Sequence, residues 1–502
     1  MKHNPLRWLA SLILFCIQKI YNFKNHTSSL MQGVLSFFPY LFLWCFSDEK
    51  QARMMHDFEK FLSLNSFHKG FLIDGKSARL SEETSFESIV TTGGMGKGKS
   101  SVFVIPNIFT LLENNSLVLT DISGDLFKKT SGYVERSGRK VKVLNLMDVT
   151  KSNFYNPLAN ANTYTEIAKM AHLLIQSAQL TERDQFWATG AQDLIRIIIQ
   201  ALKNKGETKY INLANVKHLL NNFDVYLHKK KGVSKFDKFI LENTIHDQST
   251  FSEYKGITHE KESVIRSYLS TAKNALSSLG NPELQQLTSF NEIDFKDLRK
   301  EPTVLYVMVH EQDMELFSFL LNLFYADLFR SLLSSLDDKQ RPVYLILDEF
   351  GHLKVPNFPS FAGTARKFKV GYWLFLQSLS QLESRYGGKE AETILGSLYT
   401  ELYFGGLGID TAKTLERKLG RVRIPYVLAD GTVLHHEENL MNEDRIVRIK
   451  KNRVLAFLSE QPGCLMKVKR YYKHPVFKRY GKMKPAPMPE TKSHKVEYLD
   501  LG

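Results

Sequence analysis

The chain has 502 residues, more than one compact hydrophobic core usually takes, so we expect two or three domains. Its hydrophobic fraction of 43% and charged fraction of 24% exclude a disordered chain. The chain has three cysteines, Cys16, Cys45 and Cys464, which form no CxxC or Cys/His pattern. We therefore expect neither disulfides nor structural zinc, and we expect the protein to lie in a reducing compartment. The net charge of +14 favours contact with nucleic acid or with an acidic membrane face.

The first fifty residues contain two stretches without charge. One covers residues 8–17, and the other, LMQGVLSFFPYLFLWCF, covers residues 30–46 and is close to the shortest length for a membrane-spanning helix. We interpret residues 1–50 as a membrane-anchor hairpin with both ends in the cytoplasm. Positive charges usually lie on the cytoplasmic side of a membrane helix, so Lys19 and Lys24 in the loop of the hairpin weaken this topology. A secretory signal peptide and a helix pair lying at an interface are the alternatives.

From residue 70 onward, short apolar runs alternate with helical stretches, which predicts an α/β fold with a parallel sheet covered on both faces. Asp430-Gly431 lies between two strand-like runs and predicts a hairpin. The predicted strands of the sheet lie in FESIVTTGG, SLVLTDISGDLF (116–127), KVKVLNLMD (140–148), PTVLYVMVH (302–310), PVYLILDEF (342–350), VGYWLFLQS (370–378) and ELYFGGLG (401–408).

Helical periodicity dominates the middle of the chain, as in FWATGAQDLIRIIIQALKNK (186–205) and KESVIRSYLSTAKNALSSL (261–279). We interpret this region as an all-α domain inserted into the α/β domain. The predicted division of the chain is a first α/β part over 70–156, the insertion over 157–285, a second α/β part over 286–484 and a tail over 485–502.

A glycine-rich stretch, TTGGMGKGKSSVFVIPNIF (91–109), follows the first predicted strand and fits the pattern GxxxxGK[ST]. Glycines let several backbone N–H groups converge on a phosphate, Lys99 can reach the β- and γ-phosphates, and the Ser100 hydroxyl can bind Mg²⁺. A chance glycine-rich turn is the alternative. The predicted nucleotide-binding residues are Gly93, Gly94, Met95, Gly96, Lys97, Gly98, Lys99, Ser100 and Ser101.

Two carboxylates end the apolar run VYLILDEF, where a nucleotide site needs them. We expect Asp348 to hold Mg²⁺ and Glu349 to polarise the attacking water. Gln377 ends the next predicted strand, where an amide could touch the γ-phosphate, and Arg366 could stabilise charge in its own or a neighbouring site. A strand-end glutamine and an ordinary surface arginine without these roles are the alternatives. With the glycine loop, these residues predict an ATPase that uses ATP and Mg²⁺.

Three further features leave alternatives open. Asp121 either faces the nucleotide or caps a turn, and HHEEN (435–439) is interpreted as a solvated surface rather than a metal site. The stretch KVKRYYKHPVFKRYGKMK (467–484) has eight Lys/Arg residues, no acid and interleaved tyrosines. Such a stretch either binds nucleic acid or packs along its own domain.

The chain resembles the type IV secretion coupling proteins, the TraG/TraD-like conjugative DNA-transfer ATPases. The resemblance covers nearly everything after residue 70 and depends on an ordered set of segments rather than on the phosphate motifs alone. These segments include TTGGMGKGKSSVFVIPNIF, LVLTDISGDLF, KVKVLNLMD, YNPLA, DQFW, LTSFNEIDFKDLRKEPTVLYVMV, LILDEFGHL, ARKFKVGYWLFLQSLSQLESRYG and VKRYYKHPVF.

This resemblance implies a RecA-like P-loop NTPase domain, an inserted all-α domain, and an anchor in the bacterial inner membrane with the bulk of the chain cytoplasmic. It also implies a homo-hexamer that receives relaxase-bound single-stranded DNA and passes it to a type IV secretion channel. Arg366 matches an arginine expected to act across the subunit boundary. The other residues with implied roles are Lys99, Ser100, Asp348, Glu349 and Gln377.

Some features depart from the family pattern. DISGDL replaces the usual DPKGEL, so that Ser123 stands in place of the lysine, and residues 485–502 do not form the long acidic tail that some members have. A coupling protein for protein effectors, a docking receptor that uses ATP only to assemble, and a cytosolic DNA-processing motor remain alternatives.

Overall fold

The computed structural model describes residues 52–501 except 56–63, 65, 112–113, 179, 226–232, 335–339, 428–432, 460 and 491–494. The membrane-anchor hairpin predicted over residues 1–50 lies outside the described residues. Within the described part of the chain, no helix combines the length and the apolar character that crossing a membrane requires.

A nine-stranded sheet forms the centre of the fold. Its strands are β1 Ile89–Thr92, β2 Ser116–Asp121, β3 Lys140–Asn145, β4 Thr303–Met308, β5 Val343–Leu347, β6 Val370–Leu376, β7 Thr400–Phe404, β10 Arg453–Leu458 and β11 Cys464–Lys467. The spatial order is β11-β10-β7-β1-β6-β5-β2-β4-β3. Strands β1 to β7 are parallel to their neighbours among themselves, whereas β10 pairs antiparallel with β7 and β11. The α/β fold with a large parallel sheet is therefore confirmed.

A separate antiparallel hairpin joins β8 (Arg421–Val427) to β9 (Val433–Asn439). It surrounds the predicted Asp430-Gly431 turn, whose residues lie outside the described part. Strands β10 and β11 were not predicted, although Pro462-Gly463, a turn signal, lies between their short apolar runs.

Helices cover both faces of the sheet. In chain order they are α1 Glu82–Phe86, α2 Ile105–Thr110, α3 Asp125–Arg136, α4 Tyr164–Ser177, α5 Glu182–Phe186, α6 Ala188–Lys205, α7 Leu213–Asn221, α8 Lys235–Thr244, α9 Gln248–His259, α10 Glu262–Ala275, α11 Pro282–Leu287, α12 Asp297–Lys300, α13 Ser318–Leu332, α14 Phe358–Thr364, α15 Leu379–Tyr386, α16 Gly388–Gly396, α17 Ile409–Leu419, α18 Glu443–Val447 and α19 Pro475–Tyr480. A π-helical turn, Ser100–Val104, leads into α2.

Strand β5 shows how the two cores arise. Val343 and Leu345 face the core shared with α4, α6 and α13, whereas Tyr344 and Ile346 face the core shared with α2 and α3. Successive side chains of a strand point to opposite faces, so a strand covered on both faces must be apolar throughout. All five residues of β5 are buried.

The described chain between β3 and β4 is helical, from the short turn at residue 149 to α12. Helices α4, α6, α10 and α13 pack together, so this part joins one of the two cores of the sheet. The division of the chain at residues 156 and 285 stays a prediction.

Candidate functional site

The glycine loop leaves the carboxyl end of β1 and turns into the π-helical turn. Gly96 and Gly98 have φ angles of +70° and +103°, which L side chains rarely adopt. A Cβ atom on Gly93 would lie 3.0 Å from Cβ of Phe404, whereas one on Gly94 would meet nothing within 4 Å. The loop therefore depends on glycine at Gly96 and Gly98 for its conformation and at Gly93 for its packing.

Lys99 is buried and lies beside the second carboxylate of the acid pair. Its Nζ is 3.3 Å from Oε1 of Glu349 and 3.4 Å from the carbonyl oxygen of Leu376. Gln377 Nε2 donates to the other oxygen of Glu349 at 3.2 Å. Lys99 and Glu349 are 250 residues apart in sequence, so the order of the strands in the sheet is what brings them together.

Ser100 and Asp348 form a second pair next to the first. Ser100 Oγ donates to Oδ2 of Asp348 at 3.2 Å. Burial and the neighbouring Glu349 raise the pKa of Asp348 to about 6, although Lys99 and Ser100 oppose the shift. A hydroxyl and a carboxylate are the hard oxygen donors that Mg²⁺ prefers, so these two residues fit a magnesium site.

Glu349 has a strained backbone. Its φ and ψ of 51° and 37° lie in the left-handed region, which costs a residue with a side chain about 1–2 kcal/mol. Such strain persists where the surrounding structure holds it, often at functional sites. The turn directs the carboxylate of Glu349 towards Lys99 and Gln377.

Strand β6 lies between β1 and β5 and ends at this edge of the sheet. Neighbouring strands are about 4.8 Å apart, so β1 and β5 are separated by about 10 Å. Gln377 follows β6 within this gap, and its N–H donates to Oε1 of Gln381 at 2.9 Å. A Cβ on Gly351 would lie 2.9 Å from Cβ of Gln381, so Gln381 packs between the loops after β5 and β6. Gln381 was not predicted to lie at this site, although it follows Gln377 by four residues.

Arg366 lies at the opposite edge of the sheet. It precedes β6, whose seven residues span about 23 Å at 3.3 Å per residue. Nη1 of Arg366 is 2.7 Å from Oε1 of Glu87, a residue just before β1, and 59% of its side chain is exposed. The structure therefore does not bring Arg366 together with Lys99 of the same chain.

Asp121 caps helix α3. Its Oδ2 accepts from Phe127 N at 2.8 Å and its Oδ1 from Ser123 N at 3.4 Å. Burial raises the pKa of Asp121, and the backbone hydrogen bonds oppose this shift. Of the two interpretations left open by the sequence, the contacts correspond to the cap.

Two aromatic residues of the basic stretch 467–484 pack against helices α2 and α3, whereas Tyr472 is 41% exposed. Tyr480 stacks on Tyr133 of α3 with 4.0 Å between ring centroids, and the ring centroids of Phe477 and Phe109 are 6.0 Å apart. Arg470 reaches the glycine loop, where its Nε would lie 3.2 Å from a Cβ on Gly98. The sequence shows that this stretch is basic, but it does not predict that Arg470 lies beside the glycine loop.

The stretch HHEEN forms the last five residues of β9, and all residues of this strand are exposed. Nε2 of His436 is 3.8 Å from Oε1 of Glu438, on the same strand. Among the residues that the structure describes, no group of three or more His, Cys, Asp or Glu side chains could hold a metal ion. The interpretation as a solvated surface agrees with this exposure.

A family model, type IV secretory system conjugative DNA transfer, matches residues 64–496. The chain belongs to this family. This confirms the resemblance noted from the sequence.

Curated relatives of this conjugative DNA transfer family include VirD4 of Rhizobium radiobacter, 23% identical over 415 residues, and VirD4 of Agrobacterium fabrum (strain C58 / ATCC 33970), 22% identical over 418 residues. The alignments cover 78% and 79% of this chain but only 58% and 60% of the relatives.

The fold is similar to that of the bacterial conjugative coupling protein TrwB. An unbound form has a TM-score of 0.66 at 17% identity over 84% of this chain and 93% of TrwB. TrwB in complex with ADP and Mg²⁺ has a TM-score of 0.64 at 16% identity over 84% and 94% of the two chains. At this identity the likeness concerns the fold.

Proposed function

We propose that the protein is a membrane-anchored ATPase of a type IV secretion or conjugation system. It couples a relaxase–single-stranded DNA substrate to the secretion channel and drives translocation by ATP hydrolysis. The observation that carries this proposal is the cluster of Lys99, Ser100, Asp348, Glu349 and Gln377 around one edge of the sheet. Family membership and the nucleotide complexes of TrwB support it.

The contacts of the cluster suggest a role for each residue. Ser100 and Asp348 would hold Mg²⁺, which neutralises charge on the phosphates. Lys99 would exchange its contact with Glu349 for oxygens of the triphosphate, because a triphosphate carries more negative charge than one carboxylate. Glu349, held by Gln377, would then accept the proton of the attacking water.

Arg366 fits this mechanism only in an assembly. Because it lies at the opposite edge from Lys99 of its own chain, we propose that it enters the site of a neighbouring subunit in a homo-hexamer. The Arg366 side chain is 59% exposed although that of Glu87 is only 16% exposed, so water reaches the guanidinium and a neighbour's phosphates could replace Glu87 as its partner.

The remaining parts of the proposal concern location and cargo. Residues 1–50 would anchor the chain in the inner membrane with the sheet domain in the cytoplasm, where ATP is available. The net charge of +14 would favour binding of single-stranded DNA, whose phosphates attract lysine and arginine. Secretion channel components would be the downstream partners.

The first experiment measures ATP hydrolysis by the full chain in detergent, with and without single-stranded DNA. We expect turnover that DNA stimulates, loss of activity in Lys99→Ala by at least a hundredfold, and no change in Lys413→Ala, an exposed lysine on α17. Wild-type protein that binds no adenine nucleotide in calorimetry would contradict the proposal. Stimulation by a protein cargo and not by DNA would favour the effector alternative.

The second experiment tests whether Arg366 acts between subunits. Arg366→Ala retains Glu349, and Glu349→Gln retains Arg366, so mixed oligomers contain some sites with both residues. We expect each variant alone to be inactive and an equal mixture to recover a measurable fraction of the wild-type rate. If mixtures stay as inactive as the separate variants while still assembling, Arg366 does not act across the boundary.

A further inference from the structure

The last residues of the chain contact the helical part between β3 and β4. The family model ends at residue 496, so most of the segment 495–501 lies beyond the part shared with the family. Upstream, Ala486 N donates to Ser131 Oγ of α3 at 3.0 Å, on the α2/α3 side of the sheet. The chain thus contacts helices on one side of the sheet at Ala486 and on the other side at Leu499.

Asn215 of α7 holds the main chain of this segment. Its Nδ2 donates to the carbonyl oxygen of Glu497 at 3.0 Å, and its Oδ1 accepts from the N–H of Leu499 at 2.8 Å. Asn215 is fully buried. Its Nδ2 also donates to Oδ1 of Asn212 at 3.1 Å, and this second hydrogen bond orients the Asn215 side chain. His218, one turn further on, donates through Nε2 to the carbonyl oxygen of Leu499 at 3.1 Å.

Side-chain contacts add a short recognition pattern. Leu499 is 4% exposed and joins the core of the helical part. The Tyr498 hydroxyl donates to Gln285, and its ring lies 5.2 Å from that of His218. Glu497 forms a 2.9 Å ion pair with Lys209. An acidic residue, an aromatic residue and a leucine therefore occur in succession.

Two features of this face suit an extended peptide as a ligand. Asn215 and His218 bind backbone atoms, which every extended peptide has, so most of the polar recognition does not depend on this chain's own side chains. The ion pair of Lys209 with Glu497 also gives the face a basic group that would favour an acidic peptide. Buried apolar anchors inside a polar rim are how extended peptides are usually recognised.

We propose that the face formed by Lys209, Asn215, His218 and Gln285 is a peptide-docking site. In this structure the chain's own C-terminus fills it. Its second occupant is an extended, acidic segment of a partner protein that carries an aromatic residue followed by leucine. Docking of the partner releases the C-terminus from the helical part. The inference does not require nucleotide, so it can fail while the proposed ATPase function stands.

The test uses a fluorescein-labelled synthetic peptide, KVEYLDLG, which has the sequence of residues 495–502. Binding is followed by fluorescence anisotropy to the full chain and to its Leu499→Asp variant, in which a buried charge expels the chain's own segment. A tethered segment has an effective concentration on the order of 1 mM. If the peptide Kd is on the order of 10 μM, we expect the wild-type chain to bind it about a hundredfold more weakly than Leu499→Asp.

Two matched comparisons define specificity. A peptide with alanine at the position of Leu499 should bind the Leu499→Asp chain at least tenfold more weakly, and this comparison leaves the protein unchanged. In the Leu499→Asp chain, Asn215→Ala should weaken binding at least tenfold, whereas Asn221→Ala, at an exposed position of the same helix, should not.

Two results would overturn the inference. One is equal peptide binding to the Leu499→Asp chain and to the wild type. The other is absence of peptide binding to the Leu499→Asp chain, and a smaller oligomer in that variant would then make residues 495–501 a contact between subunits.

Discussion

The buried pair of Lys99 and Glu349 allows a quantitative test of the site without any nucleotide. At 3.3 Å and an effective dielectric constant of about 20, their attraction is about 5 kcal/mol before desolvation is subtracted. Their side chains are 8% and 7% exposed, so removing one charge leaves the other buried and unpaired. Breaking such a pair typically costs about 3–5 kcal/mol.

We therefore expect Lys99→Met to lower the free energy of unfolding by about 3 kcal/mol, the lower end of that range. Gln377 Nε2 still donates to the remaining carboxylate, which limits the loss. In Lys99→Met/Glu349→Gln both charges are gone, so the double variant should be more stable than the sum of the two single losses predicts. The expected coupling is about 2–3 kcal/mol.

The assay is urea denaturation of the nucleotide-free chain at pH 7.5. Tryptophan fluorescence follows unfolding, and Trp373, one of the four tryptophans of the chain, is buried in β6. The control cycle uses Lys129→Met and Asp125→Asn, an exposed i,i+4 pair on α3, for which coupling of about 0.3–0.5 kcal/mol is expected. Coupling at Lys99 and Glu349 no larger than in this surface pair would refute the reasoning.

Further predictions concern the loop, the metal ligand and the cap. Gly98→Ala places a side chain at a φ of +103° and should weaken nucleotide binding at least tenfold in calorimetry, whereas Gly94→Ala, with open space around it, should change binding less than twofold. The pKa of Asp348 is about 6 in the folded chain and 3.8 in the unfolded reference, so the folded chain favours the protonated carboxyl. The stabilisation from this preference is complete below pH 3.8 and is lost as the pH rises through 6. Asp348→Asn should therefore raise the free energy of unfolding at pH 7.5 by up to about 3 kcal/mol, but not at pH 4, while Mg²⁺-dependent nucleotide binding disappears. Asp121→Ala removes the cap at Phe127 and should lower the unfolding free energy by about 1–2 kcal/mol without changing nucleotide affinity; a selective loss of affinity would show a role at the nucleotide instead.

Local patterns of the sequence determined much of this protein. The spacing of glycines up to Lys99 and Ser100, and the apolar run before Asp348 and Glu349, each occupy fewer than twenty residues, and each can be interpreted without knowing what packs against it. The strands β1 to β7 followed from the same kind of pattern. The ordered segments also identified the family, since their succession along the chain is a one-dimensional property.

The tertiary structure decided which of these residues meet. Lys99 reaches Glu349 because β6 lies between β1 and β5, and no periodicity in the sequence specifies that strand order. Strand direction places Arg366 at the far edge of the sheet, although Gln377 is only eleven residues away along the chain. Leu499 lies beside Asn215, although the two residues are 284 positions apart in the sequence. Such contacts arise when distant apolar surfaces bury one another, and the free energy that selects them belongs to the whole packed chain rather than to any local segment.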